Sequence, residues 1–157
     1  MMSDSPRISI RRAAPHDEER LLDWRNDPLT RRNSSTTHKI DRDEHRQWFR
    51  SVLNSEDHRI FIFEIDGRSA GVVRATRLED GWELSWAIAA EMRGKGYAGH
   101  MLSGAVKNLS GNLYAEIDPD NGPSERIARS LGMKPVGASG RFGRWKLSQS
   151  DNHEAGA

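Results

Sequence analysis

Residues 59–89, RIFIFEIDGRSAGVVRATRLEDGWELSWAIA, constrain the fold more than any other part of the chain. Three β-rich runs are separated by Asp66-Gly67 and by Asp80-Gly81, and an Asp-Gly pair between apolar runs is a strong hairpin signal. The expected result is an antiparallel meander of three strands. Its last strand leads into EMRGKGYAGHML, which holds three glycines and two cations before an apolar run.

The flanking segments place helices around this meander. RISIRRA alternates Ile8 and Ile10 with polar residues, as in a strand with one buried face. PHDEERLLDWRND reads as a helix that starts at Pro15, carries Leu21, Leu22 and Trp24 on one side and stops before Pro28; the following PLTRRNSSTTHK has no period. In DRDEHRQWFRSVLN, Asp41 and Glu44 resemble a capping box, and Trp48, Phe49, Val52 and Leu53 share a helical face. Beyond the glycines, Met101, Leu102, Ala105, Val106 and Leu109 fall at helical spacing, and NLYAEIDPDN reads as a strand. GPSERIARSLG has Pro123 in its first turn and Gly132 past its end, and MKPVGASGRFGRWKL closes with two short strands. The order β-α-α-β-β-β-α-β-α-β-β implies an α+β (mixed α/β) fold with helices on the faces of a single sheet.

At 157 residues, the chain has the length of one domain, expected over 7–147 with polar tails at 1–6 and 148–157. The net charge of +1 and the lack of a basic run argue against nucleic acid as a partner. There is no cysteine, which excludes disulfides, thiolate metal sites and a cysteine nucleophile. His38 and His45 lack a second pair at ligand spacing, so no metal is expected. Neither a secretory h-region nor a membrane-length apolar run is readable, and the expectation is a soluble cytoplasmic protein.

Gly94, Gly96 and Gly99 spell the G-x-G-x-x-G of a dinucleotide site, and Glu116 or Asp118 lies where such a site carries its acid. The surroundings do not fit. Five residues separate Ile88 from Gly94, Arg93 occupies the expected tight turn, and fewer than sixty residues remain for further parallel βα units. Lys95 is followed by Gly96 rather than Ser or Thr, which excludes a nucleotide-hydrolase P-loop. A glycine-rich loop entering a helix still offers converging backbone N–H groups and a favourable dipole to a pyrophosphate such as that of coenzyme A.

Arg93-Gly94-Lys95-Gly96-Tyr97-Ala98, followed by Asn121 at a helix start and Gly132 eleven residues later, resembles the GNAT family of N-acetyltransferases over nearly the whole ordered chain. The resemblance implies acetyl-CoA as co-substrate, its pyrophosphate on the loop amides, with Asn121 in the second signature. It also implies that the strand before the loop splays from the strand after it. Trp86, Ala87 and Ile88 then offer main-chain groups to the acetyl-pantetheine arm, although Trp86 and Ile88 read equally as core.

Acetyl transfer to an amine needs a base for the ammonium and a proton for the departing thiolate. Relatives carry a base on the splayed strands at places matched by Glu83 and Glu116, and a water chain is the alternative to both. Alternation puts Glu83 on one face with Ser85 and Ala87, opposite Trp82, Leu84, Trp86 and Ile88. The Tyr that relatives often use as general acid is replaced here by Ala128. Ser124 matches the branch acting on protein N-terminal amines, where a Ser is proposed to fill that role; as a plain helix residue it is a local backbone partner.

On the acceptor side, Trp24-Arg25-Asn26 with the downstream EH..WF resembles the branch that acetylates amino-sugar nucleotides in pseudaminic acid synthesis, and more loosely the ribosomal-protein and antibiotic branches. Trp24 reads as an aromatic platform or as core, and Arg25 and Asn26 as a phosphate site or a helix end. His38 sits with Arg31, Arg32 and Lys39 in the unpatterned connector, as an acceptor contact or as solvated charge. The acceptor is therefore expected to be a small primary amine, most plausibly an amino-sugar nucleotide. A protein N-terminus, an antibiotic amine and a non-catalytic acyl-CoA sensor are the alternatives, and a homodimer is one admissible assembly.

Overall fold

β1 (Ile8–Arg12) leads through a 3-10 turn at Pro15–Asp17 into α1 (Glu18–Arg25), α2 (Pro28–Arg32) and α3 (Arg42–Leu53). The meander follows as β2 (His58–Ile65), β3 (Arg68–Leu78) and β4 (Gly81–Ile88). Then come α4 (Tyr97–Val106), β5 (Asn112–Ile117), α5 (Gly122–Ser130), β6 (Lys134–Ser139) and β7 (Phe142–Leu147). The structure is a computed structural model, and it describes residues 5–34 and 37–149.

All seven strands join one sheet in the order β1-β2-β3-β4-β5-β7-β6. Every neighbouring pair is antiparallel except β4 and β5, which run parallel. The IFIF run of β2 is buried on both faces: Phe61 and Phe63 meet Val73, Trp82, Leu84 and the α4 residues Met101, Leu102 and Ala105. Ile60 and Ile62 instead face Val72, Leu21 of α1 and Phe49 and Val52 of α3. Helices on both faces thus explain a strand without polar alternation.

Four expectations need correction. PLTRRNSSTTHK has no period, yet α2 forms within it, because Asp27 caps it by accepting from the amides of Leu29 and Thr30 and Pro28 occupies its first turn. The second Asp-Gly pair is not the turn itself. β3 and β4 pair up to Leu78 and Gly81, so Glu79-Asp80 forms the two-residue loop, whereas Asp66 and Gly67 do adopt φ of 53° and 81°. β1 buries less than its alternation implied, since Ile8 is exposed and only Ile10 packs against the core. Finally, Gln149 lies in the expected tail but is tied to the fold, its side chain donating to the carbonyls of Gly111 and Leu109 and its amide to Asn112. The remainder of that tail from residue 150, and residues 1–4 of the other, lie outside the described residues.

Candidate active site

The loop after β4 makes a 3-10 turn at Ala90–Met92 and reaches α4 through Gly94 and Gly96, whose φ values are +78° and +81°. Gly96 is the N-cap of α4 in the left-handed conformation, where a Cβ costs roughly 1–2 kcal/mol. Crowding plays no part, because a Cβ at either glycine meets nothing within 4 Å. The loop therefore borders open space, with the unpaired first-turn N–H groups of α4 beside it. Gly99 lies inside α4, and Lys95 is exposed.

Arg93 is turned into the protein. Its Nε donates to the Ile88 carbonyl at 3.1 Å, and its Nη2 donates to Asp27 Oδ2 at 2.8 Å. Asp27 is also the cap of α2. Burial alone would raise the Asp27 carboxyl, but Arg93 and the α2 amides outweigh it and hold the group below the usual carboxylate range. One carboxylate thus fixes both the glycine loop and the second helix.

β4 and β5 pair only from Gly81 with Asn112 to Leu84 with Ala115, while β4 remains paired with β3 as far as Ile88. The β5-facing side of Ser85–Ile88 is left without a strand. The amide of Ala89 donates to Ala70 on the β3 side. Strand alternation then directs the main chain of Ala87 towards β3, and that of Trp86 and Ile88 towards the gap. Of the three main-chain contacts expected for a thioester arm, those of Trp86 and Ile88 thus face the opening and that of Ala87 does not. The Ile88 carbonyl is already taken by Arg93.

Glu83 and Glu116 come together on one face of the sheet. Arg144 of β7 stands between them, its Nη1 3.6 Å from Glu83 Oε1 and 3.7 Å from Glu116 Oε1. Its guanidinium also covers the Tyr114 ring at 4.7 Å. Asn121 caps α5, its Oδ1 accepting from the Ser124 amide at 3.3 Å, and both residues line the same cleft as the two glutamates.

That cleft, about 1260 Å³, runs from Gly94 and Gly96 past Trp86, Glu83 and Glu116 to Trp24 and Arg25. Trp24 also packs on the core beneath α1, so it is both wall and filler. Asn26 is spent on the connector: its Nδ2 donates to the Ile40 carbonyl at 3.0 Å and its Oδ1 accepts from the Ile40 amide at 2.7 Å. His38 is exposed and is not among the residues lining the cleft. The structure adds His45, Trp48 and Arg74 to this end. His45 is buried, stacks on Phe49 at 6.0 Å and is pushed by that burial below its ordinary value, so its ring is neutral at pH 7. Burial likewise lowers Arg25. His45 and Trp48 belong to the EH..WF segment, although the sequence gives neither a role of its own; Arg74 carries no sequence signal, because it reads as a cation in a strand.

The Acetyltransferase (GNAT) domain model matches residues 7–134. The chain belongs to the GNAT acetyltransferase family. Solved structures share the GNAT fold at low identity. A domain from Methanocaldococcus jannaschii superposes with a TM-score of 0.81 at 23% identity, covering 92% of this chain and 100% of that one. Spermidine N-acetyltransferase from Vibrio cholerae, in complex with CoA and spermine, gives 0.80 at 18% identity over 92% and 96% of the two chains. An aminoglycoside acetyltransferase in complex with coenzyme A gives 0.76 at 16% over 96% and 100%. No curated protein matches the chain by sequence. The GNAT match ends where β6 begins, so Arg144 lies beyond it.

Proposed function

We propose that this GNAT protein moves the acetyl group of acetyl-CoA to a primary amine of a small acceptor, with an amino-sugar nucleotide as the acceptor class. The observation that carries the reading is the cleft itself. It joins a left-handed glycine loop at a helix N-terminus, an unpaired stretch of β4 and two strand carboxylates in one continuous opening.

The residues divide the work as follows. The amides of Gly94 to Ala98 hold the pyrophosphate, and the main chain of Trp86 and Ile88 pairs with the pantetheine arm. Arg93 acts by fixing this loop, not by touching phosphate. Glu83 or Glu116, directly or through water, takes a proton from the acceptor ammonium. The freed nitrogen attacks the thioester carbonyl carbon, the C–N bond forms and the C–S bond breaks. The nitrogen sheds its second proton as the amide forms, and the departing thiolate takes up a proton from solvent or through Ser124, whose hydroxyl is then reprotonated by that released proton. Ser124 in the cleft, with Ala128 where relatives carry a Tyr, also favours a second reading in which the acceptor is a protein N-terminal amine.

A panel of amines assayed with a thiol reporter tests the proposal. Turnover on amino-sugar nucleotides supports it, whereas turnover on peptides alone sinks the sugar reading. Coenzyme A release on no amine, despite acetyl-CoA binding, would leave a sensor.

A further inference from the structure

Arg74 lies on β3 in register with Ser85 of β4, on the face covered by α1 and α3. Its Nε donates to Ser85 Oγ at 3.2 Å, and its guanidinium lies 5.3 Å from the centre of the Trp48 ring. A hydroxyl and an aromatic face hold the group in place but leave its charge unbalanced. Three other half-buried arginines have carboxylate partners: Arg11 has Asp17 and Glu64, Arg93 has Asp27, and Arg144 has Glu83 and Glu116. Arg59, by contrast, lies over the Trp82 ring and donates to the Asn108 carbonyl. Among the described residues no carboxylate pairs with Arg74.

The charged group that acts most on Arg74 is a second cation, Arg25, across the same cleft. Burial first, and Arg25 after it, push Arg74 down to about 10, which leaves it protonated at neutral pH. Two like charges lining one opening make it attractive to an anion. The planar guanidinium fork suits the paired oxygens of a phosphate or a carboxylate.

Position ties this cation to the chemistry. Ser85 is two residues from Glu83 on the same face, roughly 7 Å along the strand. An acceptor with its amine at Glu83 and an anionic group at Arg74 is about as long as one sugar ring carrying a phosphate. A linear polycation with one amine at Glu83 would bring its next charge towards the cations Arg74 and Arg25.

We propose that Arg74 reads an anionic group, phosphate or carboxylate, on the acceptor, and so selects acidic amines over polyamines. This rests on the acetyltransferase reading only for the identity of the other reacting end. Arg74 is a specificity residue, and the bond-making step does not pass through it.

The test uses protein saturated with coenzyme A, so that the glycine loop is filled, and titrates UDP and, separately, glutarate by calorimetry. One of these anions binds the wild type, and Arg74→Gln weakens it about tenfold or more while coenzyme A affinity is unchanged. A response to UDP identifies a phosphate, and a response to glutarate identifies a carboxylate. If Arg74→Gln fails to bind coenzyme A, Arg74→Lys replaces it, with a loss of roughly threefold or more as the fork is removed. Failure of both anions to bind, or equal binding by wild type and variant, overturns the proposal. Acetylation of spermidine at a rate indifferent to Arg74→Gln overturns it while leaving the transferase reading intact. Arg74-dependent UDP binding with no thiol release on any amine supports the anion site and sinks the transferase instead.

Discussion

Arg144 on β7 reaches across β5 to Glu83 on β4, its Nη1 3.6 Å from Glu83 Oε1. Glu116 is at 3.7 Å from the same nitrogen, so one cation balances two carboxylates that would otherwise face each other. Only a carboxylate that accepts the ammonium proton should matter to the rate itself. Glu83→Gln and Glu116→Gln, compared at saturating acetyl-CoA, should therefore differ: the base loses roughly a hundredfold or more in kcat and the other residue little. If both variants keep a third or more of the wild-type kcat, neither glutamate is the base.

Gly96→Asp should abolish acetyl-CoA binding, because it puts a side chain and a negative charge where the loop meets open space beside the first turn of α4. Calorimetry with acetyl-CoA checks this. Persistent binding would mean that the loop is not the pyrophosphate site.

Asp27 stands apart from the glycine loop in sequence, yet holds it through Arg93 at 2.8 Å. Asp27→Ala should weaken coenzyme A several-fold and destabilise the fold by about 1 kcal/mol through the lost cap of α2. Lys95→Ala, at an exposed position, should leave coenzyme A affinity within about twofold. The reverse ranking would show that side-chain charge, rather than loop geometry, binds the phosphates.

Asp17 is buried beside the 3-10 turn, accepting from both Nη atoms of Arg11 at 2.8 Å and from the Ala14 amide at 2.8 Å. Burial pushes its carboxyl up, but these donors outweigh burial and hold it below the ordinary 3.8. With the folded value depressed, its contribution to stability is complete above 3.8 and is lost as pH falls through the lower folded value. Asp17→Asn should cost about 3 kcal/mol at pH 7 and a smaller amount in strong acid, as read by urea unfolding at the two pH values. A constant difference at both would rule out the charge as the cause.

Gly81 opens β4 where β5 approaches it, and a Cβ there would overlap the backbone of Asn112. Gly81→Ala should destabilise by roughly 3 kcal/mol, whereas Gly99→Ala, with open space around its Cβ, should be neutral or stabilising. Thermal melts of the two variants decide between close strand approach and simple chain entropy.

The strands and the long helices were legible because burial imposes period: α3 shows its apolar face in the spacing of Phe49 and Val52. The short α2 was not, because its five residues carry no period and Pro28 reads as a stop for the preceding helix as readily as a start. The glycine loop was legible since positive φ restricts composition. Arg144 and Arg74 were not, because a strand sequence names which residues share its own face but not which residues of other strands and helices meet them. The sequence likewise points to Asn26 from a motif and to His38 from its place in an unpatterned, charged connector. Contacts then assigned Asn26 to the Ile40 backbone and left His38 outside the cleft.

The halted pairing between β4 and β5 has a mechanical consequence. Strands β1 to β4 and strands β5, β7 and β6 form two plates joined within the sheet by only four residue pairs, Gly81 to Leu84 against Asn112 to Ala115. Such a seam is expected to be the weakest line of the sheet, opening about its paired end. If the pantetheine arm lies in the open end as proposed, it would supply the missing rung of hydrogen bonds and act as a removable strut, coupling cofactor occupancy to the stiffness of the whole molecule. Amide exchange of Trp86 and Ile88 would then slow on coenzyme A binding together with that of β5, far more than in β1 or β6.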